Sequence, residues 1–273
     1  TVQAILFERR APSMLVEVPA PAAHAPPTAL GEGISSRGMG EDGEAQHLGK
    51  PTHVLEGFRS RYLSRLTQEK VWLPVSKRPA KHQTVFIFDW DDTLLCTSWL
   101  NDSSGPEWDA TTEMQIASIQ KHALQMLKIA MNMGKTYIIT NASTGWVEHS
   151  ASRWAPHLLP LLSQVEIISA RDTYQGADPY QVDRWKIDAF LELQRRLPET
   201  QVTNLVALGD SEFEMVAAQQ MRAQYEHALL KTVKFQANPT PRVMLKEMEL
   251  VSRNLGKIAS TAKNMRIFLE RRQ

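Results

Sequence analysis

Short apolar runs alternate with amphipathic stretches from Thr84 onward. Five runs are continuous enough to predict strands that are buried on both faces of a sheet, namely TVFIF, TYIIT, VEIIS, NLVALG and KTVKF. Helical periodicity follows or separates them at Glu113–Met133, Thr144–Leu162, Arg184–Arg196, Phe213–Gln224 and Pro241–Leu269. This alternation predicts an α/β protein with a three-layer, Rossmann-like fold around a mostly parallel sheet of about five strands.

The first part of the chain has a different composition. Residues 1–51 are rich in Ala, Pro, Gly and Ser, and six of the 13 glycines lie there. Such a segment buries too little apolar surface to offset the entropy of ordering it, so we predict a disordered N-terminal region. A short apolar element at residues 1–9 has no predicted partner within it. Residues 52–83 are predicted to form a helix and a polar linker, and residues 84–273 a folded domain with a C-terminal helical extension.

Composition and charge exclude several classes of function. With 273 residues, of which 42% are hydrophobic, the chain can bury one sizeable core. The net charge of +1 gives no electrostatic signature for nucleic acid or an anionic membrane, and the basic stretch RIFLERRQ is expected to be a solvated helix end. Cys96 is the only cysteine, which excludes an intramolecular disulfide. Without an apolar stretch long enough for a bilayer or a signal-peptide pattern, a soluble cytoplasmic protein is expected.

Polar side chains with a capacity for chemistry follow several predicted strands. They are Asp89 and Asp91 after TVFIF, Thr140 and Asn141 after the second run, Asp210 and Glu214 after NLVALG, and Lys186 near the start of the helix before that strand. Open α/β sheets bind ligands beyond the carboxyl ends of their strands, so these residues are expected to meet at one edge. Carboxylates with a lysine and a hydroxyl can bind Mg²⁺ beside a substrate phosphate. The sequence therefore predicts a magnesium and phosphate site.

The spacing within DWDDT has a structural consequence. Asp89 and Asp91 lie just past the end of the first predicted strand, and we expect the chain to turn there so that both side chains reach one substrate. Asp92 is interpreted as a polar turn or cap residue, and Trp90 as either a rim or a packing residue. Ser143 and Gly145 in TNASTG are further loop candidates near the phosphate.

The motifs DWDDT, IIT, Lys186 and GDSEFE, in this order, resemble the four motifs of the haloacid dehalogenase (HAD) superfamily. The resemblance covers roughly residues 84–235 and implies a phosphatase that hydrolyses phosphate monoesters. By resemblance, Asp89 is the nucleophile that forms an aspartyl-phosphate, and Asp91 is the general acid that later activates water. Thr140, with Asn141 beside it, would bind the phosphoryl oxygens, and Lys186 would neutralise charge on the nucleophile and the phosphate.

The same resemblance implies a Mg²⁺ cofactor. Its ligands would be Asp89, the backbone carbonyl of Asp91, and Asp210, with Glu214 assisting through water or through Asp210. Glu214 stands where many HAD proteins carry aspartate, so the metal geometry is expected to differ in detail. Dehalogenases lack the second aspartate as acid and base, and P-type ATPases need membrane spans, so Asp91 and the hydropathy favour phosphatase chemistry.

The gaps between the motifs bear on the size of the substrate. Neither residues 94–111 nor the chain between Thr140 and Lys186 leaves room for a folded cap domain. A capless site is expected to be open, which favours a phosphoprotein or another macromolecular substrate. Two alternatives remain open at this point. One is a non-catalytic HAD-fold protein that binds phosphate or a partner, and the other is a small-metabolite phosphatase whose site is covered in trans.

Overall fold

A single seven-stranded sheet forms the centre of the protein. The computed structural model describes residues 2–6, 81–103, 108–176, 181–197 and 202–271. The strands are β1 (Val2–Leu6), β2 (Thr84–Phe88), β3 (Lys135–Thr140), β4 (Glu166–Ser169), β5 (Asn204–Gly209), β6 (Leu229–Lys234) and β7 (Met265–Arg271). Their order across the sheet is β1-β7-β6-β5-β2-β3-β4, and all neighbours are parallel except the antiparallel pair β1 and β7. The predicted α/β class with a mostly parallel sheet is therefore confirmed.

Helices cover both faces of the sheet, as a three-layer fold requires. They are α1 (Thr97–Asp102), α2 (Ala110–Met133), α3 (Trp146–Trp154), α4 (Leu159–Leu162), α5 (Ala170–Tyr174), α6 (Val182–Arg196), α7 (Glu212–Ala223) and α8 (Pro241–Ser260). Helices α2, α3 and α8 share one apolar core with the sheet, and α6 and α7 share the other. The central strands β2 and β5 are buried along their whole length, which explains their continuous apolar runs.

The carboxyl end of the chain differs from its prediction. The helix predicted over Pro241–Leu269 ends at Ser260, and residues 265–271 form strand β7. The prediction that RIFLERRQ is a solvated helix end is therefore wrong. In this stretch Ile267 and Leu269 are buried, with the alternation of a strand, and Ile267 pairs with Val233 of β6. The alternation is too short to outweigh the strong helical period before it.

The N-terminal segment contributes the second unpredicted strand. Residues 2–6, which the prediction includes in a disordered region, form the edge strand β1, with Ile5 opposite Phe268. Strand β7 lies at the edge of the parallel part of the sheet, so its outer N–H and C=O groups need hydrogen-bond partners. Strand β1 provides these partners by pairing with β7. The rest of residues 1–51 and the helix predicted within residues 52–83 lie outside the described residues. The sheet thus has seven strands where five were predicted.

The helix predicted over Thr144–Leu162 is interrupted. Helix α3 ends at Trp154, Ala155 leaves the helical conformation at φ −145° and ψ 54°, and a 3₁₀ turn at Pro156–Leu158 leads into α4. A proline disfavours the helical conformation of the residue before it, so Pro156 accounts for the break at Ala155.

The order of the strands creates a crevice at the centre of the sheet. From β2 the chain adds β3 and β4 on one side, then returns to add β5, β6 and β7 on the other. The connections therefore diverge between the carboxyl ends of β2 and β5, the place where such sheets bind ligands. Among the described residues, α1 is the helix between β2 and α2, and α5 is the helix between β4 and α6. Residues 104–107 and 177–180 of these two connections lie outside the described residues. The described chain has no large cap domain, as predicted.

No helix among the described residues has the length and apolar character needed to cross a membrane.

A buried lysine lies near the opposite, amino-terminal edge of the sheet. Lys231 of β6 is 1% exposed, and its Nζ donates a hydrogen bond to Asn204 Oδ1. The Asn204 amide in turn donates to the carbonyl of Ala259 at 3.0 Å, which links β5, β6 and α8. Burial lowers the pKa of Lys231 from 10.5 to about 7.

This pKa predicts a stability that increases with pH. Between about pH 7 and 10.5 the unfolded chain binds the Lys231 proton and the folded protein releases it, so raising the pH favours the folded state. From about pH 8 to 9.5, we expect the free energy of unfolding of the wild type to rise by about 2 kcal/mol relative to that of Lys231→Met. Urea denaturation at both pH values measures the difference. The exposed Lys257→Met is the control, and equal pH dependence in Lys231→Met and the wild type would contradict the prediction.

Candidate metal and phosphate site

The end of β2 turns sharply and brings two aspartates to one edge. The Asp89 amide still donates to the Leu208 carbonyl of β5 at 2.9 Å, so Asp89 continues the ladder. The Trp90 carbonyl then accepts from the Leu94 amide at 2.9 Å, and Asp92 adopts a left-handed φ of 54°. This tight turn gives Asp91 access to the same crevice as Asp89, which the predicted site requires.

The turn also decides the roles of two neighbouring residues. Asp92 is buried, and its Oδ1 accepts from the Ser98 amide at 3.1 Å, in the first turn of α1. The predicted turn or cap role of Asp92 is confirmed. Trp90 is completely buried, and its indole N–H donates to Ser150 Oγ at 2.9 Å. Of its two predicted roles, Trp90 therefore has the packing role.

Lys186 lies between two acidic side chains, one just past strand β2 and one in the first turn of helix α7. It is 2% exposed on α6, and its Nζ lies 2.6 Å from Asp89 Oδ1 and 2.9 Å from Glu214 Oε1. Glu214 is held from its other side by the Ser211 amide, which donates to Oε2 at 2.9 Å in a capping box at the start of α7. Gly209 ends β5 directly beneath Glu214, where a Cβ would collide with the glutamate side chain.

The electrostatics of the site follow from burial and close charges. Burial raises the pKa of Asp89 well above its usual value, and Lys186 opposes that shift. Burial by itself lowers the pKa of Lys186, but Asp89 and Glu214 outweigh it and hold the pKa above its ordinary value. Burial, with Glu214 and Asp92 nearby, raises the pKa of Asp210 to about 7. One ammonium group is therefore shared by more carboxylates than it can neutralise.

The donor set fits a divalent cation. Asp89, Asp210 and Glu214 each offer a carboxylate oxygen, and these oxygens lie within 4.8 Å of one another. Oxygen-only donors of this kind suit Mg²⁺, whose charge would offset the excess of carboxylates over Lys186. The two Glu214 oxygens already contact Lys186 and Ser211, so Glu214 fits a supporting position better than direct ligation. The Lys234 Nζ donates to the backbone carbonyl of Asp210 at 3.2 Å, which ties the residue after β5 to the end of β6.

Asp91 is held by three donors from three segments. Its Oδ1 accepts from Thr97 Oγ1 at 2.6 Å and from the Trp146 indole at 2.8 Å. Its Oδ2 accepts from Thr140 Oγ1 at 3.2 Å, and the same hydroxyl accepts from the Ala142 amide at 3.0 Å. The predicted residues Asp91 and Thr140 are thus in contact.

The TNASTG loop lines the opposite wall of the crevice. The Asn141 side-chain amide donates to the Val182 carbonyl at 3.4 Å, while its Oδ1 is buried without a hydrogen-bond partner. Ser143 lines the same crevice, and Gly145 adopts a φ of 84° directly before α3. The left-handed conformation at Gly145 favours glycine and orients the helix that carries Trp146.

The crevice is a cleft of about 540 Å³ that all seven predicted site residues line. Seven further lining residues were missed by the sequence interpretation: Ser98, Ala142, Trp146, Arg171, Ser211, Phe213 and Asn238. Phe213 is 44% exposed, unusual for an aromatic side chain, and it lies inside the GDSEFE motif, which was the available signal. Arg171 and Asn238 have no motif around them, and only the fold brings them to the cleft.

Comparison with known proteins does not extend this picture: no family model, no curated protein and no solved structure matches the chain. The fold and the site define a Rossmann-like α/β protein with an acidic, lysine-bridged cleft at the carboxyl edge of its sheet. The HAD resemblance therefore rests on the sequence motifs.

Removing the lysine tests the electrostatic arrangement. Lys186→Met leaves Asp89 and Glu214 buried without their shared cation, so we expect a loss of about 3–5 kcal/mol of unfolding free energy at neutral pH without metal. The variant should regain stability as the pH falls toward 5.5, because the folded carboxyl groups take up protons more readily than the unfolded ones. Urea denaturation measures both effects. The exposed Lys128→Met should change little, and an equally small effect of Lys186→Met would contradict the prediction.

Proposed function

We propose that this protein is a Mg²⁺-dependent, HAD-like phosphatase that hydrolyses phosphate monoesters through an aspartyl-phosphate on Asp89. The observation that carries the proposal is the convergence of Asp89, Asp91 and Asp210 with Lys186 at the switch point of the sheet. These residues come from separate segments, and their identities match the HAD motifs in order. A phosphorylated substrate is the implied partner.

Asp89 is the nucleophile in this proposal. A carboxylate reacts poorly with a phosphate dianion because the two anions repel. Lys186, 2.6 Å from Asp89 Oδ1, reduces that repulsion and orients the carboxylate. When bound beside Asp89 and Asp210, Mg²⁺ supplies further charge neutralisation on the phosphoryl oxygens. Attack forms the Asp89–phosphorus bond and breaks the bond from phosphorus to the leaving oxygen.

Asp91 is the proton carrier. It donates a proton to the leaving oxygen in the first step and takes one from the attacking water in the second, which restores the starting state. Thr140 and Asn141 both line the cleft, and they are proposed to bind the phosphoryl oxygens through their donor groups, the Thr140 hydroxyl and the Asn141 side-chain N–H. Thr140 also touches Asp91, so it connects the phosphate subsite with the acid.

The second candidate is a HAD-fold protein that binds phosphate or a partner without turnover. Lys186, Asp210 and Thr140 suffice for that function, so their presence does not distinguish it from catalysis. The elaborate support of Asp91 by three donors favours the enzyme, since a binding protein has no use for an oriented proton carrier.

The proposal predicts metal-dependent turnover. Purified protein should hydrolyse an aryl phosphate with Mg²⁺, lose this activity with a chelator, and recover it when Mg²⁺ is restored, because the carboxylates then regain their counter-charge. A colorimetric phosphate-release assay measures it. Folded protein that turns over no member of a broad phosphate-ester panel with Mg²⁺ would support the binding function instead.

Two conservative substitutions separate the roles of the aspartates. Asp89→Asn should abolish both turnover and covalent labelling from a radioactive phosphate ester, because the nucleophile is absent. Asp91→Asn should retain the fold but slow turnover by about a hundredfold or more, the usual contribution of general acid–base catalysis. Asp188→Asn on the outer part of α6 is the matched control. Near-wild-type activity of either cleft variant would contradict its assigned role.

The open cleft predicts a preference for large substrates. With no large cap described over the cleft, contacts that select a small metabolite are few, and a phosphoprotein segment has unobstructed access. We expect phosphopeptides to exceed sugar and nucleotide phosphates in kcat/KM. A preference of about a hundredfold (roughly 3 kcal/mol in transition-state binding) for one small metabolite would instead favour a site that is covered in trans.

A further inference from the structure

Two tryptophan indoles connect the DWDDT turn to helix α3. The Trp90 indole N–H donates to Ser150 Oγ at 2.9 Å, and Ser150 is itself completely buried. The Ser150 hydroxyl donates onward to the Trp146 carbonyl at 2.7 Å. The Trp146 indole N–H then returns to the turn and donates to Asp91 Oδ1 at 2.8 Å. The four residues form a closed circuit between the turn and the first two turns of α3.

Packing fixes the ring that closes this circuit. The Trp146 ring meets the Trp154 ring edge-on, with centroids 6.3 Å apart and planes at 74°. The His149 ring lies 6.0 Å away on another side. Aromatic contacts of this kind restrict the ring to one orientation, so the position of the indole N–H relative to Asp91 is set before any substrate binds.

The donors distinguish the two oxygens of Asp91. A carboxylate oxygen has two in-plane lone-pair positions, and Oδ1 accepts two hydrogen bonds, from Thr97 at 2.6 Å and Trp146 at 2.8 Å. An indole N–H only donates, so it cannot accept a proton from a protonated Oδ1. Oδ2 has one longer hydrogen bond, at 3.2 Å from Thr140, whose hydroxyl can rotate to donate or to accept. Oδ1 therefore has both positions filled, one of them by a group that can only donate, while Oδ2 keeps one position open to an oxygen atom of substrate or water.

We propose that Trp146, anchored through Ser150 and Trp90, is a positioning residue that holds Asp91 so that Oδ2 is the oxygen that exchanges protons with substrate and water. This inference rests on the proposed phosphatase function. In the first step the Oδ2–H bond breaks and its proton passes to the leaving oxygen as that oxygen separates from phosphorus. In the second step, water loses a proton to Oδ2 as its oxygen bonds to phosphorus and the Asp89–phosphorus bond breaks.

The kinetic test uses leaving groups of different basicity. Trp146→Phe keeps the ring and removes the N–H, and Thr97→Val removes the second donor to Oδ1. Single-turnover rates are measured for a nitrophenyl, a phenyl and an alkyl phosphate. A misplaced acid matters most when the leaving oxygen is basic, so the rate loss should grow from small with the nitrophenyl ester to about tenfold or more with the alkyl ester. Trp108→Phe, whose indole N–H contacts the Ser103 carbonyl, is the matched control and should show no such trend.

An equal rate loss for all three esters would indicate a merely structural role for Trp146 and overturn the inference. A second measurement does not depend on turnover. In the ¹⁵N–¹H spectrum of the wild-type background, Asp91→Ala should shift the Trp146 indole resonance, and Ser150→Ala should shift that of Trp90. If the chemical shift of the Trp146 indole N–H is the same in Asp91→Ala as in the wild type, the inference is overturned directly. If the wild type hydrolyses none of the esters while both resonances respond, the proposed function fails and the proton role of Oδ2 fails with it.

Discussion

One buried ammonium group determines how the acidic edge of this sheet is built. Lys186 contacts Asp89 beyond β2 and Glu214 at the start of α7, so a single charge connects the strands on either side of the switch point. Buried carboxylates without a partner cost free energy, and two carboxylates that contact the same ammonium group are close enough to repel each other. Asp210 adds a third carboxyl group within reach of the same point, which makes the edge a good place for a divalent cation.

The positions of the other acidic side chains depend on two features of the backbone, at Gly209 and at Asp92. Gly209 has no side chain where Glu214 lies against the end of β5, and the left-handed turn at Asp92 reverses the chain after Trp90. A side chain at position 209 would displace Glu214, and a straight chain after Trp90 would displace Asp91. The turn brings Asp89 and Asp91, two positions apart in the chain, to the same cleft with different surroundings: Asp89 lies against an ammonium group and Asp91 against uncharged donors.

Those different surroundings suit two different tasks. A group that attacks phosphorus benefits from a fixed positive neighbour, whereas a group that carries a proton benefits from neighbours that orient it and leave one oxygen accessible. The two indoles around Asp91 supply orientation without charge. Their hydrogen bonds connect the turn to helix α3, which packs in the same apolar core as α2 and α8.

The sequence by itself determined the fold class and seven residues of the candidate cleft, because both depend on local order. Continuous apolar runs identify buried parallel strands, and parallel strands place whatever follows them at one edge, so Asp89, Thr140 and Asp210 could be brought together without coordinates. Tertiary structure decided the rest. Strands β1 and β7 exist because the backbone of a sheet edge needs a partner, and the first and last parts of the chain pair there across the length of the protein. Trp146 contacts Asp91 across 55 positions of sequence, and no local pattern encodes a hydrogen bond between two segments that only the packed sheet brings together.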